Sequence, residues 1–231
     1  MRNGTSHART MSGYYKLIFN ANHPKVFPYL NQRGIDDAYL EIGRTQYQLV
    51  DSLFEDQADA YMDKRSANQD WKAVKKEAQD TLRDLLEAAR LIGKRYPKEA
   101  ELLNLHEPVP TRIDDWIKYA KRLYSKVLTK PDYLAECAKR NITEADIRAA
   151  LAVVEQMPDL QREASASKGT AEQSTTDRNE ELEKLAQYAR ELTDWAKVAL
   201  KGKPQLLEIL GIGVKSGTAS AAPKATSGTA Q

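Results

Sequence analysis

The sequence predicts an all-α protein, a helical bundle built from two duplicated antiparallel helical hairpins, and three observations lead there. Ala, Leu, Glu, Lys and Arg dominate the periodic segments while Gly and Pro are scarce inside them, which is helix-forming composition. Apolar residues recur at helical spacing over long stretches. The stretch Leu82 to Leu105 is echoed from Ala189 to Ile209: Arg83, Leu85, Ala89, Lys94 and Pro97 return as Arg190, Leu192, Ala196, Lys201 and Pro204, each 107 positions later. Between these identities Asp84 becomes Glu191, Glu87 becomes Asp194, Arg90 becomes Lys197 and Leu91 becomes Val198, so the spacing predicts an internal duplication. A leucine segment follows each proline, Leu102-Leu103-Asn104-Leu105 and then Leu206-Leu207-Glu208-Ile209. Aligned on their leucines, the second lies closer to its proline.

Composition excludes several classes. A chain of 231 residues with 41% hydrophobic content can bury a substantial core. With 35 Lys+Arg against 33 Asp+Glu the net charge is +2, so no global field draws the chain to polyanions and any such binding needs a local patch. The single cysteine, Cys137, rules out an intramolecular disulfide and any multi-cysteine zinc site, which fits a reducing cytoplasm. No 18-residue apolar run is present, so no transmembrane segment is expected, and Met1 to Gly13 lacks the apolar centre of a secretory signal.

Taken in order, residues 1–13 are polar and aperiodic and read as a disordered leader in which His7 has no assigned part. A first hairpin repeat with an irregular, Pro-broken start is expected over 14–106. Asp36 is its candidate N-cap, with Asp37 at the positive end of the helix dipole. Three heptad-spaced rows follow: Ile35, Ile42 and Leu49; Tyr39, Leu53 and Ala60; Leu40, Tyr47, Phe54 and Tyr61. The polar run Asp63 to Asn68 reads as a turn, and Trp71, Ala78, Leu85 and Ile92 restart the pattern up to Pro97. Connecting helices are expected over 107–140, the first with an apolar face through Trp116, Ile117, Ala120, Leu123, Tyr124 and Val127. In the second, Tyr133, Leu134 and Cys137 share a face, and Pro28-Tyr29-Leu30 faintly echoes Pro131 to Leu134. A second hairpin repeat is expected over 141–214. Thr143 and Asp146 open it as a capping box, Pro158 kinks or ends its first helix, and residues 164–176 form a flexible tip. Residues 215–231 read as a disordered tail.

Little in the sequence carries catalytic chemistry. A di-iron carboxylate site needs Glu-x-x-His on two helices, and none of His7, His23 or His106 stands three residues after a glutamate. Clustered zinc ligands are equally missing, and Gly211-Ile212-Gly213 lacks the third glycine and preceding strand of a phosphate-binding loop. Cys137 reads as a small core residue, and His106, aligned with Leu210, as a packed or capping one. Trp71, Trp116 and Trp195 fall on apolar stripes and read as core. No catalytic, cofactor-binding or metal-ligating residue is therefore expected, and the chain is expected not to be an enzyme.

Two segments remain as binding candidates. Lys118, Lys121, Arg122, Lys126 and Lys130 could contact a polyanion or an acidic partner, although a solvated helix face explains them as simply. Leu206, Leu207, Ile209 and Leu210 are expected to dock across the bundle end. The leading expectation is a non-catalytic structural or protein-interaction protein, self-associating or binding a protein partner. A nucleic-acid or membrane-surface binder through the basic helix 112–130 is the alternative. A carrier or enzyme with a pocket among Tyr39, Tyr47, Phe54, Tyr61 and Tyr188 comes third, its small-molecule ligand unknown.

Overall fold

The computed structural model describes residues 4–213, which form eight helices and no strand. These are α1 (Gly4–Asn20), α2 (Phe27–Asn31), α3 (Asp37–Gly93), α4 (Pro97–Leu102), α5 (Ile113–Leu128), α6 (Pro131–Ala138), α7 (Glu144–Ala199) and α8 (Pro204–Ile209). The expected tail at 215–231 lies outside the described residues. The expected leader at 1–13 is helical from Gly4 onward, and His7 lies against the Phe54 ring with centroids 5.8 Å apart.

Neither expected hairpin forms, because its turn is helix. Residues 63–68 lie inside α3, which runs unbroken for 57 residues. That run holds no Gly or Pro, so its polarity marks a solvated face rather than a break, and Asn68 Nδ2 donates to the Lys64 carbonyl one turn back at 2.8 Å. Residues 164–176 likewise lie inside the 56-residue α7. There the hydroxyls of Ser165, Ser167, Thr170 and Thr175 donate to carbonyls four residues back, at 2.8, 2.9, 3.2 and 2.8 Å, and so join the helix they were expected to interrupt. Pro158 sits within α7 without ending it.

The helix ends follow readable chemistry. Asp36 Oδ1 accepts the Tyr39 N–H at 2.8 Å and caps α3. Thr143 and Asp146 exchange bonds as a capping box at the start of α7, with the Thr143 N–H 2.9 Å from Asp146 Oδ2 and the Asp146 N–H 3.2 Å from Thr143 Oγ1. These bonds favour the carboxylate and hold the Asp146 pKa below its ordinary value. α4 and α8 start at Pro97 and Pro204, 107 positions apart, after residues at φ −127°, ψ 69° and φ −123°, ψ 65°. They end alike: the Leu105 N–H returns to the Ala100 carbonyl at 3.2 Å, and the Ile212 N–H to the Leu207 carbonyl at 3.0 Å. Asn104 at φ 57° and Gly211 at φ 74° take the left-handed position of the two caps. At this spacing of 107, Leu103 pairs with Leu210, Leu105 with Ile212 and His106 with Gly213, so His106 does not fall opposite Leu210. His106 is exposed rather than packed. Before each long helix, Gly34 at φ 82° and Asn141 at φ 59° repeat the pattern, with Ile35 bonded to the Leu30 carbonyl and Ile142 to that of Cys137. At the same spacing Val26 and Tyr133, and Leu30 and Cys137, are all buried, and Pro131 stands 107 positions after Pro24.

The chain divides into two compact units, and neither follows the spans 14–106 and 141–214. Unit 1 takes Met1–Phe54 and Thr176–Gln231; unit 2 takes Glu55–Thr175. Each combines the first part of one long helix with the last part of the other. In unit 1, Leu17, Ile18, Val26, Leu30, Leu40 and Val50 pack with Leu185, Leu192, Leu200 and Leu210. In unit 2, Leu82, Leu85, Ala89 and Ile92 pack with Trp116, Leu123, Tyr124, Tyr133, Ile147 and Met157. On α3 the row Ile42 and Leu49 faces outward, at 62% and 43% exposure, while Leu40, Gly43 and Val50 face the core.

Candidate functional site

The residues singled out for binding are dispersed by the fold. Arg122 pairs with Glu107, Lys126 Nζ donates to the Leu102 carbonyl at 2.7 Å, and Lys121, Lys126 and Lys130 are half-buried, so only Lys118 and Arg122 of the five are exposed. Leu210 is buried in unit 1, with Leu206, Leu207 and Ile209 half-buried against its core, and Asn20 Nδ2 holds the Ile209 carbonyl at 2.8 Å. Cys137 is fully buried in unit 2, where burial pushes its thiol pKa up. Tyr39, Tyr47, Phe54 and Tyr188 pack against the unit 1 core rather than ringing a cavity. Trp195, expected in a core, is 47% exposed.

The structure instead places an open groove of about 560 Å³ in unit 1, between α1 and the last turns of α7 and closed at one end by Gly211 and Gly213. Tyr14, Leu17 and Ala189 give it an apolar floor. Arg9, Arg190 and Lys197 line its rim with one carboxylate, Asp194, which sits 3.4 Å from Lys197 Nζ. The rim is therefore net cationic.

Unit 2 carries larger side chains at positions 106 or 107 further along the chain. Buried positions of α1 and α5 lie 106 apart, with Met11, Leu17, Ile18 and Ala21 answering Ile117, Leu123, Tyr124 and Val127. In that register Thr10 and Gly13 pair with Trp116 and Tyr119, which are 4% and 6% exposed. Across the groove Ala189 and Thr193 stand where unit 2 has the buried Leu82 and Leu86. Four small residues thus replace four large ones, and a Cβ added at Gly13 would meet nothing within 4 Å.

A smaller cleft of about 170 Å³ lies in unit 2, lined by Thr81, Asp84, Tyr124, Asn141, Asp146 and Ala150 with Leu85, Ile142 and Ile147. In unit 1 Tyr188, 107 positions after Thr81, stacks on Tyr39 with centroids 5.1 Å apart and donates its hydroxyl to the Tyr39 carbonyl at 2.9 Å. Its ring lies over Gly43, where a Cβ would overlap it, and the counterpart of Gly43 is Ala150. In unit 2 the Tyr124 hydroxyl is buried with no hydrogen-bond partner, its pKa pushed up first by burial and then by the charge of Asp84.

Sequence reasoning missed both openings. Their signal is a size exchange between counterparts (Gly13 against Tyr119, Thr193 against Leu86, Thr81 against Tyr188), readable only once the whole chain is aligned at the right spacing. Among the described residues, no group of three or more His, Cys, Asp or Glu side chains is placed to hold a metal, and no helix is long and apolar enough to cross a membrane. No protein-family model, no curated protein and no solved structure matches the chain.

Proposed function

We propose that this chain is a non-catalytic protein-interaction module, a tandem duplication in which one unit has kept an open groove and the other has closed it with its own side chains. The duplication reading is supported by helix starts, helix caps and left-handed residues that recur 107 positions apart. The interaction reading is carried by the contrast between Thr10 and Gly13 in unit 1 and Trp116 and Tyr119 in unit 2. The aromatic pair that fills one groove describes the occupant of the other, and the cationic rim selects acidic flanks. The partner is accordingly a protein segment presenting aromatic side chains among carboxylates, and the groove holds it without chemistry.

The test is fluorescence anisotropy with a labelled peptide carrying Trp and Tyr three residues apart between aspartates. Binding with Kd of about 0.1 mM or tighter is expected, weakened about tenfold by reversing both Arg9 and Arg190 to Glu. Replacing the aspartates by lysines, or both aromatics by alanine, should remove it. Equal binding of all three peptides, or none, refutes the reading.

Self-association is the second reading. Trp195 and Val198, three residues apart on α7, are 47% and 52% exposed and form an apolar spot on unit 1. Light scattering across concentration should then report a larger species that Trp195→Glu returns to monomer. The basic helix gains no such support, since Arg122 and Lys126 are engaged within unit 2.

A further inference from the structure

We propose that the unit 2 cleft is a binding site for the ammonium end of an unbranched alkylamine. Its lining is apolar at Leu85, Ile142, Ile147 and Ala150, and Tyr124 borders it. Its charged lining consists of two carboxylates and no cation. Asp146 already accepts from Thr143. Asp84 makes no hydrogen bond or ion pair among the described residues, and its charge acts on the Tyr124 hydroxyl. That hydroxyl is the second observation: it belongs to a side chain 1% exposed and has no partner. A buried hydroxyl without a partner is costly, and a ligand donor or acceptor arriving there removes the cost.

Size and charge together narrow the ligand. The cleft, about 170 Å³, has room for a short alkyl chain. A carboxylate or phosphate would be repelled by Asp84 and Asp146, and an aromatic ring would have to reproduce Tyr188, whose place is lined here by acid rather than by Tyr39. A butyl chain ending in an ammonium meets these features: methylenes over the apolar lining and Asp84 beside the cation. Two sources carry this group, a free alkyldiamine and a lysine side chain of another protein.

The experiment is a titration of the full chain with n-butylammonium, 1,4-diaminobutane and N-acetyl-lysine methylamide at matched ionic strength, followed by amide chemical shifts. Shifts confined to the surroundings of Asp84, Tyr124 and Asp146 are expected, with no response to n-butanol or butyrate. Asp84→Asn should weaken binding about fivefold and Tyr124→Phe about threefold, while Thr81→Tyr, which copies unit 1, should abolish it. Tighter binding of the diamine assigns the site to a free amine, and tighter binding of the lysine derivative to a protein side chain. Equal response to n-butanol and n-butylammonium, or Asp84→Asn binding as wild type does, overturns the proposal. So does the absence of any shift, which would mean that the cleft holds water alone. Because Thr81 is exposed and its counterpart is already tyrosine, Thr81→Tyr is expected to fold; if it does not, Asp84→Asn alone decides.

Discussion

On the duplication we propose, unit 1 and unit 2 share left-handed caps and helix starts 107 positions apart, yet they carry side chains of different size around their openings. Unit 2 spends Trp116 and Tyr119 on a space that unit 1 leaves between Gly13 and Thr193; unit 1 spends Tyr188 on a space that unit 2 leaves between Thr81 and Asp146. On that proposal, backbone and caps specify the unit, while a few large-for-small substitutions decide which part of its surface is open. Because interiors pack to near-crystalline density, one aromatic ring is enough to convert a groove into core.

The largest way to break the comparison is to remove one of its elements. Ending the chain at Lys203 deletes α8 and the residues after it, removing buried Leu210 and half-buried Leu206, Leu207 and Ile209 from unit 1. At about 1.5 to 3 kcal/mol for each fully buried side chain, the loss should be about 4 to 6 kcal/mol, read as a shift of the urea midpoint. A midpoint unchanged by the deletion would show that α8 is not the counterpart of α4 in holding its unit together.

Emptying the filled groove comes next. Trp116→Ala should cost about 3 to 5 kcal/mol, since a nearly fully buried indole leaves a cavity. Gly13→Ala, on the matching face of unit 1, should instead gain about 0.5 to 1 kcal/mol, because its Cβ meets nothing and helix interiors disfavour glycine. Losses of similar size at both positions would mean that the unit 1 groove is not open.

The smaller cleft gives a finer test by double-mutant cycle. Gly43→Ala drives a Cβ into the Tyr188 ring, which is held by its stack on Tyr39 and its hydrogen bond, and should cost about 1 to 2 kcal/mol. Adding Tyr188→Thr restores the pairing that unit 2 uses at Ala150 and Thr81, so the two changes should couple by about 1 kcal/mol or more. Simple additivity would separate Gly43 from Tyr188 and dissolve that half of the comparison.

Much of this arrangement was legible in residues with local signatures. Asp36, Thr143 and Asp146 announce their caps, Pro97 and Pro204 their helix starts, and Trp116 through Val127 an amphipathic face, because each effect acts within one turn of helix. What was not legible depends on context. The polar run 63–68 and the Ser/Thr-rich run 164–176 look like turns by composition, but neither contains a proline, and neighbours on both sides keep the helix going. Gly169 in the second run is tolerated. Ile42 and Leu49 fit a heptad as well as Leu40 and Val50 do, and only tertiary packing decides which row faces inward. Trp195 shows the same limit, lying between the buried Leu192 and Ala196 yet turned outward. The groove escaped notice because it consists of what is small, at Gly13, Ala189 and Thr193, and small residues carry no motif.

The measurement that bears most directly on the account fills the unit 1 groove as unit 2 fills its own. Gly13→Tyr places a ring where Tyr119 lies in the other unit, in space that its Cβ can enter freely. The peptide with Trp and Tyr between aspartates should then bind at least about tenfold more weakly, while helix content holds and the melting temperature stays level or rises. A folded Gly13→Tyr protein that binds the peptide as tightly as wild type would contradict the claim that this groove is the place where the chain meets its partner.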